Sequence, residues 1–299
     1  MILITGGTGF LGRALVQELL RLGHEVKVLT RQEMKMPGVQ TVKGDITDRD
    51  DVKSAAYGCD MVFHLAAAVD YFMGERELER VNVFGSRNVM EACVENGVKR
   101  IVYASSVAVD IRTRYGRSKR KAEGVVRSYE DRVEVVALRF APVYGPGSKQ
   151  MTTLLNAVKA GKAGMIGKDY PIHMVDLRNA VSALIKGMDG RPGVWTIADP
   201  SSIRAARMYD IVSDALGVRK RRVPKWVVYF YALVSEAVWA FTGRHGKFNL
   251  DYYRVVTEAR EYDIMPALKE FGYKPSINTE QGMRDLAEWY LNEGAKAAA

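Results

Sequence analysis

The sequence predicts a doubly wound α/β fold, a parallel sheet built mainly by the first half of the chain beside a smaller, mainly helical C-terminal lobe. Three observations carry this. Short apolar runs alternate with segments of helical period, the connections between them are short, and the first run enters a glycine turn that opens a helix. Strands buried on both faces read as continuous apolar runs. Strands alternating with helices imply a parallel sheet covered on both sides.

Taken in order, Ile2–Thr5, Glu25–Leu29, Val39–Val42, Asp60–His64, Arg100–Ala104 and Val133–Leu138 read as strands. Phe10–Leu22, Asp48–Tyr57, Arg76–Asn96 and Tyr115–Tyr129 read as the helices between them. The pattern changes at Gly145-Pro146-Gly147, so residues 1–147 are expected to bind a dinucleotide and 148–299 to bind substrate, with some segments returning to the sheet. In the second part Gln150–Ala160, Asp176–Gly187, Arg207–Leu216 and Thr279–Asn292 read as helices, with short strands at Met165-Ile166 and Val194–Ile197. The Glu293–Ala299 tail is of low complexity.

The chain has 299 residues, 47% hydrophobic and 26% charged, which is ordinary for a globular protein. Its net charge of +9 is spread over ordinary helices, and no nucleic-acid motif accompanies it; a preference for anionic ligands is the better reading. Cys59 and Cys93 lack metal-ligand spacing and read as free core thiols in a reducing cytoplasm, with no metal site expected. The chain opens directly on a strand, without a signal-peptide pattern. Trp226–Phe241 is apolar except for Ser235 and Glu236, and basic residues flank it: Arg219-Lys220-Arg221-Arg222 before, Arg244 and Lys247 after. It is short for a membrane span. The first reading is a buried helix of the small lobe; the second is an interfacial helix that meets a membrane or a lipid-like substrate.

Gly6-Gly7-Thr8-Gly9-Phe10-Leu11-Gly12 lies between a strand and a helix, the context of a dinucleotide fingerprint. Its glycines let backbone N–H groups approach a pyrophosphate at the positive end of the helix. Gly6, Thr8, Gly9, Phe10, Leu11 and Gly12 are the candidate contacts. The second strand ends in Thr30-Arg31, where an NAD enzyme is expected to place a carboxylate for the ribose 2′-hydroxyl. Arg31 can grip a 2′-phosphate, so NADP is favoured over NAD. Tyr115-Gly-Arg-Ser-Lys119 sets a phenol and an ammonium four apart on one helix face. A neighbouring cation would lower the tyrosine pKa towards working pH.

Together these motifs resemble the extended short-chain dehydrogenase/reductases, and the resemblance spans nearly the whole chain. Gly44-Asp45-Ile46-Thr47-Asp48 is similar to the segment whose Asp and next residue bracket the adenine, implying roles for Asp45 and Ile46. His64-Leu65-Ala66-Ala67 resembles the fourth-strand motif lining the cofactor, and Asn82 falls where the next helix carries its Asn. Tyr103-Ala104-Ser105-Ser106 resembles the end of the fifth strand, with Ser106 at the catalytic serine position. Arg139-Phe-Ala-Pro142-Val143-Tyr-Gly-Pro146 is similar to the loop beside the nicotinamide. His173-Met174-Val175-Asp176 and Phe271–Pro275 followed by Trp289-Tyr290 complete the pattern.

The resemblance implies that Tyr115 exchanges a proton with the substrate oxygen. Lys119 would hold the nicotinamide ribose and depress the Tyr115 pKa, and Ser106 would hydrogen-bond the same oxygen. Two departures stand out: only nine positions separate Ser106 from Tyr115, a short connection that suggests an open site, and the family's Tyr-Gly after the serine region is missing, Val107-Ala108-Val109 leading into Asp110 instead. Pro142 stands where nucleotide-sugar enzymes commonly carry an Asn. Pro142 looks like the branch of 3β-hydroxysteroid dehydrogenases and dihydroflavonol reductases, acting on apolar ketones and alcohols. A nucleotide-sugar epimerase or dehydratase with tightly bound cofactor is the alternative, and a non-catalytic dinucleotide sensor a further one. The family's four-helix interface implies a homodimer through Arg76–Asn96 and Tyr115–Tyr129.

Overall fold

The computed structural model of the protein describes every residue except 33, 35, 243–247 and 295–299, with the side chains of 240–242 also outside the description. Arg244, Lys247 and the end of the low-complexity tail therefore lie outside the described residues. The chain forms two compact units. The first comprises Met1–Ala141, Arg178–Ile197 and Asp263–Lys274; the second comprises Pro142–Leu177, Ala198–Tyr262 and Pro275–Ala299.

Seven parallel strands form the sheet of the first unit. They are β1 (Ile2–Thr5), β2 (Val26–Thr30), β3 (Val39–Lys43), β4 (Met61–His64), β5 (Arg100–Ser106), β6 (Glu134–Phe140) and the edge strand Gly193–Ile197. Their order is Gly193–Ile197, β6, β5, β4, β1, β2, β3, so the winding direction reverses between β4 and β1. Ligands of doubly wound folds bind at the carboxyl ends of strands beside such a reversal. The interior strands are apolar throughout, with Leu3, Ile4, Val28, Val62, Phe63, Ile101, Val102 and Leu138 buried. Helices α1 (Phe10–Arg21), α2 (Arg49–Ala56), α3 (Glu75–Glu79), α4 (Gly85–Glu95) and α5 (Arg114–Arg127) flank the sheet. A π-helical stretch, Arg80–Phe84, joins α3 to α4, so the helix expected over Arg76–Asn96 runs on with a widened turn.

Two expectations for the second half need correcting. Val194–Ile197 is not a strand of the small lobe: Gly193–Ile197 pairs with Val136–Phe140 and extends the large sheet. The helix Leu177–Lys186 likewise falls mostly in the first unit. The second correction concerns Trp226–Phe241, which does form a helix, Lys225–Thr242, but not a buried one. Ala232 is its single fully buried side chain among those described, while Trp226, Phe230 and Tyr231 are well exposed. Among the described residues no helix is long and apolar enough to cross a membrane.

The second unit holds three two-stranded ladders: Val143–Tyr144 with Val175–Asp176, Met165–Ile166 with Arg222–Val223, and Pro171–Ile172 with Ile203–Arg204. Its core gathers Tyr144, Leu155, Met174, Ile211, Met283 and Leu286. Cys59 and Cys93 are buried free thiols of the first unit, as their apolar surroundings in the sequence suggest.

Candidate active site

β1 delivers the glycine turn to the carboxyl edge of the sheet. Gly6 adopts φ +77°, and a Cβ there would stand 2.6 Å from the Ala66 backbone nitrogen. A Cβ on Gly12 would stand 2.1 Å from the Gly6 carbonyl oxygen. These two positions require glycine for α1 to sit this close to the turn and to the end of β4. Gly9 caps α1 without a side-chain hydrogen bond, and the first turn of the helix carries no acidic residue. Its leading N–H groups are thus left for an anion, and this cradle fits a dinucleotide pyrophosphate.

The other cofactor candidates of the first unit follow at the carboxyl ends of neighbouring strands. Arg31 lies just past β2, its side chain 79% exposed and its Nη1 4.0 Å from Asp45 Oδ2. Asp45 is turned inward as well, its Oδ1 accepting from the Thr47 backbone and hydroxyl at 2.9 and 3.0 Å. Ile46 is buried against Gly85 at the start of α4. Leu65, Ala66 and Ala67 follow β4, with the Ala66 N–H donating to Thr5 Oγ1. Pro142 and Val143 belong to the second unit, where the Pro142 carbonyl accepts from Val175 and Val143 forms the short ladder.

Ser106 ends β5, and its hydroxyl is hydrogen-bonded to the Tyr115 hydroxyl. The eight-residue connection, Val107 to Arg114, begins with a 3-10 turn, Val107–Asp110, closed by the Ile111 N–H on the Ala108 carbonyl. Thr113 then caps α5 by accepting from Gly116 N at 3.0 Å. Gly116 is essential to this path, since a Cβ there would lie 2.3 Å from Ile111 O and 2.4 Å from Ala108 O. The short connection therefore keeps the serine and tyrosine hydroxyls in contact.

Lys119 is buried, and its ammonium donates to Tyr103 Oη and to the Ala104 carbonyl, both at 2.8 Å. Burial pushes its pKa down to about 7, opposed by the Glu123 carboxylate. Burial of Tyr115 pushes its pKa up to about 12, opposed by the Ser106 hydrogen bond. The lowering of Tyr115 expected from the cation spacing is therefore not seen: desolvation of the phenolate raises its pKa, and the Ser106 hydrogen bond only partly offsets this.

Several residues support the pair; the resemblance points to Asn82, whereas Glu123 and Tyr71 are not singled out in the sequence. Asn82, in the π-helical stretch, accepts from Ala68 N at 2.7 Å and donates to Ser118 Oγ, tying the chain after β4 to α5. Glu123 is buried and receives Ser105 Oγ at 2.5 Å and a two-pronged contact from Arg139. Burial raises its carboxyl pKa, but the hydrogen bonds from Arg139 and Ser105 outweigh this and hold it below the usual range. Tyr115 itself packs with Leu78, Ala108 and Ile111, and against Ala68, Tyr71 and Met73. The Tyr71 ring meets it edge-on at 5.5 Å between centroids. The sole hint of this in the sequence was the aromatic pair Tyr71-Phe72 in a loop.

A glycine cradle at the sheet reversal and a Ser–Tyr pair beside a buried lysine accord with the NAD dependent epimerase/dehydratase family, whose model matches residues 2–194. The chain belongs to this family. It is an extended short-chain dehydrogenase/reductase, an NAD(P)-dependent oxidoreductase or epimerase. Among its relatives is a 2-alkyl-3-oxoalkanoate reductase of Stenotrophomonas maltophilia, 28% identical over 95% of this chain and 98% of the relative. Another is a 3-beta-hydroxysteroid dehydrogenase of Mycolicibacterium neoaurum, 28% identical over 97% of this chain and 91% of the relative. The fold is shared with the Bordetella bronchiseptica enzyme WbmG, solved in complex with NAD and UDP, at a TM-score of 0.78 and 23% identity, covering 98% of this chain and 94% of that one.

Proposed function

We propose that this family member interconverts a carbonyl and a secondary alcohol on an apolar substrate, with NADP as the preferred cofactor. The observation that carries the reading is the setting of Tyr115. Its hydroxyl is hydrogen-bonded by Ser106, and its ring is surrounded by Leu78, Ala108, Ile111, Ala68, Tyr71 and Met73. Apolar surroundings favour an apolar substrate, while the two hydroxyls supply the polar contacts that orient one oxygen. The relatives named as reductase and dehydrogenase of oxoalkanoates and steroids support the same substrate class.

In this reading Tyr115 passes its proton to the carbonyl oxygen during reduction and takes it back during oxidation. Ser106 donates to the same oxygen and stabilises the charge that develops there. Lys119, anchored by Tyr103 and Ala104, holds the ribose hydroxyls of the nicotinamide nucleotide. The glycine cradle and Arg31 would hold the dinucleotide, which when bound would supply hydride exchange with the substrate carbon.

The test is NADPH consumption by the purified protein with a panel of medium- and long-chain ketones and β-oxo acids, with UDP-sugars as a parallel arm. Turnover of an apolar ketone that falls by two to four orders of magnitude in Tyr115→Phe, with NADPH binding retained, is the expected result. Tight UDP-sugar binding without net NADPH consumption would replace this reading with an epimerase. A fully active Tyr115→Phe variant would remove the catalytic assignment.

A further inference from the structure

The helix Lys225–Thr242 is an apolar and aromatic run interrupted only by Ser235 and Glu236 over Trp226–Trp239. One side of it packs within the second unit. Tyr229 meets Tyr253 at 5.4 Å between ring centroids, Tyr231 meets Phe248 at 6.1 Å, Ala232 is buried, and Lys225 Nζ donates to the Thr257 carbonyl. Much of the remainder among the described side chains is exposed. Trp226 is 72% exposed and Phe230 64%, with Val227, Leu233, Val234 and Val238 exposed beside them. Positions 226, 230 and 233 and positions 227, 234 and 238 recur at helical spacing, so these side chains make one continuous apolar face. A face of this kind marks a contact site with a protein or a membrane.

Charge around the helix decides between them. The strand Arg222–Val223 leads into the helix and pairs with Met165–Ile166, which brings the 162–168 segment to the same end. Lys162, Lys168, Arg219 and Arg222 are exposed there and make no ion pair among the described residues. Lys220 is neutralised by Asp210 and Asp214, and Arg221 reaches the Gly161 carbonyl. In the sequence Arg244 and Lys247 follow the helix, so both of its flanks are basic. A second copy of this chain would bring basic residues against basic residues in either helix direction. An anionic lipid surface satisfies both flanks and the apolar face together.

We propose that the helix Lys225–Thr242 lies in the headgroup region of an anionic membrane. Trp226, Phe230, Leu233 and Val234 enter the acyl boundary, while Lys162, Lys168, Arg219 and Arg222 meet lipid phosphates. Trp226, exposed at the end of the helix, sits where an amphipathic ring is favoured at an interface. The helix lies on the bilayer and does not cross it.

The experiment is sedimentation of the full chain with phosphatidylcholine vesicles, with and without phosphatidylglycerol. Tryptophan emission is read alongside with brominated lipid as quencher, and Trp226→Phe identifies the part of the signal that comes from Trp226 among the four tryptophans. Expected are binding to the phosphatidylglycerol vesicles that weakens with added salt, a blue shift and quenching by the brominated lipid. At about one kcal/mol per basic residue near an anionic surface, Arg219→Glu with Arg222→Glu lowers partitioning on the order of thirtyfold or more. Trp226→Glu with Phe230→Glu abolishes it while leaving the unfolding midpoint and NADPH binding unchanged, since both side chains are exposed. Equal, weak sedimentation with both vesicle types overturns the proposal. So does a dimer that the Trp226→Glu, Phe230→Glu variant converts to monomer without vesicle binding, since the face would then belong to a second copy.

Discussion

Lys119 Nζ donates to Tyr103 Oη at 2.8 Å, and its ammonium stands 4.5 Å from the centre of the same ring. This contact is one end of a buried chain of hydrogen bonds whose two arms converge on Ser86. The Tyr103 hydroxyl is bonded to Ser86, and Ser86 Oγ donates to the Asn82 carbonyl at 2.6 Å. With its proton given to Asn82, Ser86 can only accept from His64 Nε2, 2.9 Å away. Nδ1 of His64 is then the acceptor, and takes the Thr5 hydroxyl proton at 2.7 Å. The lysine is thereby tied through three side chains to the strand that delivers the glycine turn.

Tyr103→Phe removes the inner anchor of Lys119 and leaves Ala104 as its remaining partner. A hydrogen bond to a charged group contributes about 1.5–3 kcal/mol. Urea unfolding at pH 6, where Lys119 is protonated, is expected to show a loss of this order. Turnover should fall with it if Lys119 holds the nicotinamide ribose as proposed. Unchanged stability and turnover would show that Ala104 alone fixes the lysine.

The buried ammonium also makes stability depend on pH. With its pKa lowered to about 7, Lys119 binds fewer protons in the folded than in the unfolded protein between pH 7 and its ordinary value near 10.5. Stability therefore rises with pH through this window, by up to about 1.4 kcal/mol per pH unit, and the penalty is fully present below pH 7. Lys119→Met is expected to be more stable than the parent at pH 6, with the difference shrinking towards pH 10. Denaturant titrations at several pH values measure it.

His64 works in the acid range. Burial lowers its pKa to about 3, with the Lys119 charge adding to the effect, so the neutral Nε2–H form persists in the folded protein. The unfolded chain binds the proton from about pH 6.5 downwards. Stability is complete above that value and is lost as pH falls towards 3, again by up to about 1.4 kcal/mol per unit. In His64→Gln the acid limb of the stability curve should flatten between pH 6 and 4. An unaltered acid limb would place its origin elsewhere, for instance in the Glu123–Arg139 pair.

Sequence spacing reveals parts of this site that are local. Gly6, Gly9, Gly12, Tyr115 and Lys119 could be singled out because a strand, a turn and a helix follow each other within a few residues, whereas Ser106 comes from the family resemblance. The partner of Lys119 could not, because it depends on how β4 and β5 pair: His64 stands opposite Tyr103 only through that register. The raised pKa of Tyr115 was equally hidden, since spacing reports a nearby cation but not the desolvation supplied by Tyr71, Met73 and Ile111. Gly193–Ile197 looks like any short apolar strand until β6 presents a free edge to it. The helix at Trp226 shows the converse limit: apolar composition indicates a preference for a non-aqueous neighbour, without saying that the neighbour is the protein's own core.

Gly116→Ala should be the most damaging small substitution near the site. The added methyl meets Ile111 O and Ala108 O at distances no carbon tolerates, and both are backbone atoms. The first turn of α5 must then shift outward, carrying Tyr115 away from Ser106. Turnover is expected to fall at least tenfold while NADPH binding at the distant glycine turn changes little. A loss confined to KM for NADPH would instead show that the turn of α5 adjusts without moving Tyr115.

Arg31 bears on cofactor choice. Its side chain is largely exposed, and its 4.0 Å approach to Asp45 is an exposed pair that contributes little. The guanidinium is thus available to a phosphate group on the adenosine ribose, whereas Thr30, whose hydroxyl donates to the Gln32 carbonyl, offers no carboxylate for a free 2′-hydroxyl. A charge-assisted hydrogen bond contributes about 1.5–3 kcal/mol, so Arg31→Ala should weaken NADPH binding on the order of ten- to a hundredfold and leave NADH binding nearly unchanged. Fluorescence titration with both nucleotides separates the cases. A parallel loss for NADPH and NADH would mean that Arg31 touches what they share, and would remove the support for a preference for NADP.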